Sequence, residues 1–333
     1  MAFAKSVPLG SFVLPPAQPI LQVQDLAISF GRGAYPATRG LDFSLAPGEV
    51  VGLVGESGSG KSVTAYGLMG LLPHGAKVDR GVILWKGQDL ALTPPKKRRD
   101  LCGRHLGLVF QEPLSALNPV YSIGEQVAEI FRYRAGLSRA KAKAKAIELL
   151  GQVGLPDPQG AYASFPHRFS GGMRQRVVIA MAIALSPELI IADEPTTALD
   201  PTIAAQIIQL IQNLASQRGA AVLFITHNLR LLTGLAQRIL VMYHGLIVEE
   251  LTSFQDLQHP YTQGLWRALP PEPGLREDRR LFPIPGQAPL PGEEIRGCAF
   301  APRCPKAQDL CRLTPPLLRP LGPNRATRCH LSR

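Results

Sequence analysis

The sequence predicts an α/β protein built on a mainly parallel sheet sandwiched between helices. Three observations carry that reading. Apolar runs of strand type alternate with helical stretches along most of the chain, as expected where strands are buried on both faces. One such run, 50–54, opens into Gly55-Glu56-Ser57-Gly58-Ser59-Gly60-Lys61-Ser62 and then a helix over 62–72. A second apolar run, 189–192, ends in the carboxylate pair Asp193-Glu194.

In chain order, residues 1–19 are rich in proline and small side chains and read as a loose leader. Strand-like alternation over 21–30 predicts a strand, and 41–45 a second before the Pro47-Gly48 turn. The glycine-rich unit follows, then strands near 82–85 and 106–110. Residues 123–135 and 139–153 read as amphipathic helices, with Lys141, Lys143 and Lys145 on a solvated side. Those lysines fit a plain exposed face or a nucleic-acid patch. A helix over about 172–185 leads into the strand at 189–192. A helix at 201–217, a strand at 221–226, a helix at 228–236 and paired strands at 239–243 and 246–251 complete the alternation. The helical insert at about 112–186 is expected to form a subdomain. Pro270, Pro271, Pro273, Pro283, Pro285, Pro289 and Pro291 mark an extended linker to a cysteine-rich tail.

At 333 residues the chain can bury a full core and fits two domains. A formal charge of +11, from 36 basic and 25 acidic residues, suits anionic partners such as nucleotide, nucleic acid or a membrane surface without choosing among them. The longest apolar candidate for a membrane span, 177–192, is too short and is broken by Ser186, Pro187 and Glu188. Only Lys5 precedes the proline-punctuated start, a poor signal peptide. The expectation is a cytosolic chain that reaches any membrane through partners.

The eight-residue loop fills every fixed position of the phosphate-binding pattern G-x-x-x-x-G-K-[ST], between the strand and the helix that the pattern requires. Its glycines let backbone N–H groups curl around a phosphate, and the helix N-terminus adds positive partial charge. Lys61 would reach the β- and γ-phosphates and Ser62 would hold Mg²⁺, with Val63 at the next helical position. The apolar strand would deliver Asp193 and Glu194 to the sheet edge beside this loop. There Asp193 would bind Mg²⁺ through water and Glu194 would orient or deprotonate an attacking water.

A third stretch, Phe169-Ser170-Gly171-Gly172-Met173-Arg174-Gln175-Arg176, resembles the signature motif of ATP-binding cassette (ABC) ATPases, with Phe169 where leucine is commoner. The resemblance spans about 21–330 and implies the ABC ATPase core: a P-loop NTPase fold with an antiparallel β subdomain, a helical subdomain and a small cysteine-rich C-terminal extension. It divides the chain into a leader (1–19), an ABC ATPase domain (20–268) and a linker with the extension (269–333). It also implies roles. Ser170, Gly171 and Gly172 would bind ATP held on the other subunit's phosphate loop. Gln111 matches the Q-loop glutamine that senses Mg²⁺ and couples to a membrane partner. Ala198-Leu199-Asp200 matches the D-loop linking the two sites, and His227 the switch histidine at the γ-phosphate. Tyr35 is the candidate for stacking on adenine.

Within the family the chain is most similar to ATPase subunits of dipeptide/oligopeptide, and related nickel, importers. The stretches that carry this are Phe110-Gln111-Glu112-Pro113 with Leu117-Asn118-Pro119, Phe165-Pro166-His167, and His259-Pro260-Tyr261-Thr262. Arg168 replaces the usual Glu or Gln, which puts partner preference in doubt, and Asn228 replaces the usual Asp; neither removes a catalytic group. The resemblance implies a peripheral protein on the cytoplasmic face of the membrane, working with two permeases, indirectly a solute-binding protein, and a second ATPase. The subgroup favours a heterodimer over a homodimer. No nucleic acid is expected, although a soluble ABC ATPase acting on nucleic acid or ribosomes is the competing class.

Of the five cysteines, Cys102 stands alone and reads as a small hydrophobe. Cys298, Cys304, Cys311 and Cys329 follow the spacing C-x5-C-x6-C-x17-C, which in a cytosolic protein argues for metal over disulfides. It lacks the paired C-x2-C knuckles of zinc ribbons. Similar importers carry a [4Fe-4S] cluster here, so the resemblance favours that cluster, with Zn²⁺ as the alternative.

Overall fold

The computed structural model describes residues 18–31, 35–269, 282–290, 293 and 295–332. Nearly all of the expected leader lies outside these, as do Pro270, Pro271, Pro273 and Pro291 of the linker. The strands are β1 (Leu21–Phe30), β2 (Tyr35–Leu45), β3 (Val50–Val54), β4 (Ala76–Trp85), β5 (Gln88–Asp89), β6 (Leu106–Val109), β7 (Leu189–Asp193), β8 (Ala221–Thr226), β9 (Arg238–Tyr243), β10 (Leu246–Leu251), β11 (Arg319–Gly322) and β12 (Arg325–Thr327). The helices are α1 (Lys61–Met69), α2 (Pro95–His105), α3 (Pro113–Ala116), α4 (Ile123–Ala135), α5 (Arg139–Gln152), α6 (Pro158–Ala163), α7 (Gly171–Ile183), α8 (Pro201–Arg218), α9 (Pro260–Ala268) and α10 (Asp309–Leu313).

Two sheets form. β2, β1, β4 and β5 make an antiparallel sheet in that order; the main sheet runs β11-β12-β10-β9-β3-β8-β7-β6. Its centre, from β9 to β6, is parallel, and β10 to β11 are added antiparallel. The central strands are apolar at nearly every position because both faces are covered. Val54, Ile190, Val222, Phe224 and Val241 pack into one core with α4, α5, α7 and α8. Leu53, Ile191, Leu223, Ile225 and Leu240 pack into another with β1, β2 and α1.

Helix limits follow local chemistry. Ser122 Oγ accepts from the Glu125 N–H at the start of α4, and Gly136 at φ 68 ends it. Ser138 caps α5, and Asp200 caps α8 with Pro201 in the first turn.

The structure departs from the sequence reading in three places. β2 and β4 are longer than expected, because the whole of β1 templates them, from Leu21↔Leu45 and Leu21↔Trp85 to Phe30↔Tyr35 and Phe30↔Ala76. The helix expected at 228–236 is only a 3-10 turn, Leu229–Leu232. Asn228 Oδ1 takes the Arg230 N–H at 3.1 Å, and Gly234 at φ 72 leaves the helical region. The tail is not merely appended: β12 pairs with β10 through Glu249↔Thr327 and Glu250↔Ala326, extending the main sheet.

Candidate functional site

β3, β7 and β8 end level with one another. Val54 lies opposite Thr226, and Asp193 opposite Ile225. Gly55, Glu194 and His227 therefore leave the sheet side by side at its carboxyl edge, where parallel sheets open a crevice for ligands.

The loop after β3 needs its glycines. Gly58 sits at φ 79 and Gly60 at φ 105, and a Cβ on Gly60 would stand 2.4 Å from the Ala37 carbonyl oxygen. Gly60 caps α1 with no side chain, and the first turn of α1 holds no acidic residue. Its N–H groups are thus left to an anion. Lys61 is buried, and its Nζ donates to the carbonyls of Gly55 and Glu56 at 2.9 and 3.0 Å. Burial pushes its ammonium pKa down, against the opposing charges of Glu194, Asp193 and Glu56.

Ser62 Oγ donates to Asp193 Oδ1 at 3.0 Å. Asp193 is fully buried, and its Oδ2 has no hydrogen-bond partner among the described residues. Burial raises its carboxyl pKa to about 6. A buried oxygen without a partner beside a serine hydroxyl fits Mg²⁺ or one of its waters. Ser62 and Asp193 would hold the ion, which when bound would neutralise charge between the phosphates.

Glu194 is held from three sides at one oxygen. Its Oε2 accepts from Thr197 Oγ1 at 2.9 Å, His227 Nδ1 at 3.1 Å and Gln111 Nε2 at 3.4 Å. A carboxylate can only accept, so a proton of His227 sits on Nδ1 and is donated to Glu194. Glu194 and Ala198 both take positive φ, 44 and 63, the backbone strain that collects at functional turns.

Tyr35, Ser57, Gly58, Gly60, Lys61, Ser62, Val63, Gln111 and Glu194 line one open cleft of about 440 Å³. Ser170, Gly172 and Asp200 do not line it. Ser170 Oγ accepts from the Met173 N–H at the start of α7, and Asp200 Oδ1 from the Ile203 N–H at the start of α8. Gly171 lines a neighbouring cavity of about 430 Å³ with Arg174, Thr197, Ala198 and Leu199. Gln111 borders both.

Residues 38–197 match the family model described as ABC transporter, and 249–311 that of the oligopeptide/dipeptide transporter C-terminal region. The dipeptide transport ATP-binding protein DppD of Escherichia coli is 44% identical over 316 residues, covering 93% of this chain and 96% of that one. This chain belongs to the ABC transporter ATP-binding proteins. The probable peptide ABC transporter ATP-binding protein y4tR of Sinorhizobium fredii is also 44% identical, over 95% of this chain and 96% of that one. Among solved structures, a dimeric post-hydrolysis state of the ATP-binding cassette MJ0796 bound to ADP and Pi aligns with TM-score 0.62 at 27% identity, covering 70% of this chain and 98% of that one. As a family member the chain is an ATPase subunit, and ATP with Mg²⁺ is the usual pair in such proteins. No helix among the described residues is long and apolar enough to cross a membrane.

Several residues of this ABC ATPase site carry no motif of their own. Thr197 holds Glu194. His244 and Pro289 line the same cleft as Tyr35 and Lys61. Arg303, from the C-terminal stretch, holds Glu56 of the phosphate loop. Tyr261, within a stretch that marks the subgroup, accepts the Glu56 N–H at its hydroxyl, 2.8 Å away. A subgroup marker without an obvious role was the signal available for that contact.

The expected [4Fe-4S] site is not supported by the geometry. Cys298, Cys304, Cys311 and Cys329 are free thiols and line one pocket with His259 and His330. The space between them, about 10 Å³, holds about one water-sized body. That is too small for a cubane. Among the described residues, no group of three or more His, Cys, Asp or Glu side chains is arranged to hold a metal ion. Cys102 is buried, as a small hydrophobe should be.

Proposed function

We propose that this chain is the ATP-hydrolysing subunit energising import of peptides of the di- and oligopeptide class through an ABC permease. The observation that carries the reading is the convergence of Lys61, Ser62, Asp193, Glu194, Gln111 and His227 on one sheet edge. The relatives' names supply the substrate class. Residues 20–268 would form the ATPase domain, with a helical subdomain at about 112–186, and 269–333 the linker and extension.

In this mechanism the phosphate loop and Lys61 bind the triphosphate, Ser62 and Asp193 hold Mg²⁺, and Tyr35 stacks on adenine. Glu194, fixed by Thr197 and His227, takes the proton of the attacking water. Ser170, Gly171 and Gly172 do not line the chain's own cleft, which supports the reading that they serve the ATP of a partner cassette, with Asp200 linking the two sites. The partner is a second ATPase, a heterodimer being favoured. Closure follows because ATP contacts both chains only when they meet, which gives it a differential affinity for the closed state. An isolated chain then hydrolyses ATP slowly.

A groove bordering β6, the strand that leads to Gln111, supports a permease contact at the cytoplasmic face of the membrane. It is lined by Phe110, Ala116, Tyr121 and Tyr133, and the two tyrosines are 56% and 78% exposed. The convergence of the four cysteines supports a metal centre only after local movement. Iron, sulfide and zinc assays on anaerobically purified protein decide between [4Fe-4S] and Zn²⁺.

The test is affinity capture of tagged Glu194→Gln chain with Mg-ATP from detergent-solubilised native cells. Two polytopic permeases and a second ATPase are expected. Ribosomal or DNA-bound proteins without a permease would overturn the reading.

A further inference from the structure

Glu56 occupies a position where the phosphate-loop pattern accepts any residue, yet each of its polar groups is engaged. Its N–H donates to Tyr261 Oη. Its carbonyl accepts from Lys61 Nζ at 3.0 Å and the Ser59 N–H at 3.2 Å. Its carboxylate is gripped by Arg303, whose Nη1 and Nη2 reach Oε2 and Oε1 at 2.7 and 3.0 Å. The Arg303 side chain is only 5% exposed. It donates further to the Pro285 carbonyl at 2.9 Å and to Tyr243 Oη at 3.3 Å. Phe300 and Tyr243 flank the guanidinium.

This is a bidentate, largely desolvated pair, the geometry in which Arg is not replaceable by a point charge. Removing one member leaves the other unpaired. The unpaired group would be a carboxylate within the loop that must receive a polyphosphate, beside the lysine that must bind it. Arg303 also ties down the segment holding Pro289, which lines the nucleotide cleft.

We propose that Arg303 is a positioning residue for the phosphate loop, through which the C-terminal stretch sets affinity for the phosphates of the nucleotide. It neutralises Glu56 and fixes the loop backbone at the carbonyl that Lys61 also contacts. The inference rests on the reading of this loop as a nucleoside triphosphate site.

The test compares binding of Mg-ATP, Mg-ADP and adenosine to the wild-type full chain, Arg303→Gln, Arg303→Lys, Glu56→Gln and the Glu56→Gln/Arg303→Gln double variant. The expected loss for Arg303→Gln is about tenfold for Mg-ATP, smaller for Mg-ADP and absent for adenosine, because an uncompensated carboxylate repels in proportion to phosphate charge. Arg303→Lys should recover part of the affinity, and the double variant most of it, since the charge to be neutralised is gone. Equal loss for all three ligands, or no recovery in the double variant, would show a merely structural contact and overturn the proposal. Should Arg303→Gln fail to fold, Glu56→Gln decides. Mg-ATP affinity equal to or above wild type, with weaker salt dependence, is expected, and a tenfold loss would sink the idea. Wild-type chain that binds no Mg-ATP would instead refute the nucleotide reading itself.

Discussion

Glu194→Gln isolates proton abstraction from positioning. The amide keeps the length of the side chain and an oxygen that can accept from Thr197 Oγ1 at 2.9 Å and Gln111 Nε2 at 3.4 Å. Its backbone tolerates the φ of 44 as glutamate does. The fold and the nucleotide cleft should therefore survive. What is lost is the basic oxygen and its attraction for the His227 proton. Removing a general base costs about 10²- to 10⁴-fold in rate, or about 3–5 kcal/mol of barrier. The assay is ATP hydrolysis by the reconstituted transporter, beside equilibrium binding of Mg-ATP to the same preparation. Hydrolysis should fall by at least about a hundredfold while ATP affinity stays within about threefold, since no direct phosphate contact is removed. Hydrolysis within about threefold of wild type would refute Glu194 as the base. A matching collapse of ATP affinity would show that the carboxylate shapes the cleft rather than the chemistry.

Further perturbations probe the scaffold. Gly52→Ala would place a Cβ 2.2 Å from Leu232 Cδ1 under the phosphate loop, and thermal unfolding should show a loss of about 1–3 kcal/mol. Arg238→Met would strand Glu49 and Glu250, which Arg238 bonds at 2.9 and 2.8 Å alongside the Ser44 carbonyl; a denaturant titration should register about 3–5 kcal/mol. His244 accepts from Arg39 Nη2 at 2.7 Å, and burial with the Arg39 charge lowers its pKa to about 4. The unfolded chain protonates this group first, so stability should fall as pH drops from about 6.5 to 4, by about 1–2 kcal/mol after discounting for partial exposure. His244→Gln should flatten that part of the melting-temperature profile, and an unchanged slope would remove His244 as its source.

The catalytic edge was legible because its residues sit at strand ends with fixed spacing. Each apolar run of β3, β7 and β8 announces a buried strand, and the polar residue that follows must emerge at the sheet's carboxyl edge. The signature stretch was legible through its resemblance to the ABC motif, and Ser170 caps the helix that follows it. The short turn at Leu229–Leu232 was not, because Leu229 and Leu232 are buried at a spacing that suits a helix as well as a turn. The cysteine pocket was half legible. Spacing brought the four thiols together on paper, but how closely they meet depends on the Cys298 N–H bonding the Cys311 carbonyl at 2.7 Å and on packing around Phe300. Neither has a sequence signal.

The contact between Arg303 and Glu56 shows where motif reasoning ends. A pattern records the residues that every phosphate loop must share and leaves the second position open. In this chain that position is decided by a guanidinium 247 residues away. The two side chains meet where Phe300 packs on Tyr243 and Tyr261 and seats the tail beside the loop. An uncompensated carboxylate at this position would oppose the charge of a polyphosphate. Here it is a handle, because its charge is already neutralised and its backbone already held. The tail therefore belongs to the energetics of nucleotide binding, and truncating it should weaken Mg-ATP binding where Glu56→Gln alone does not.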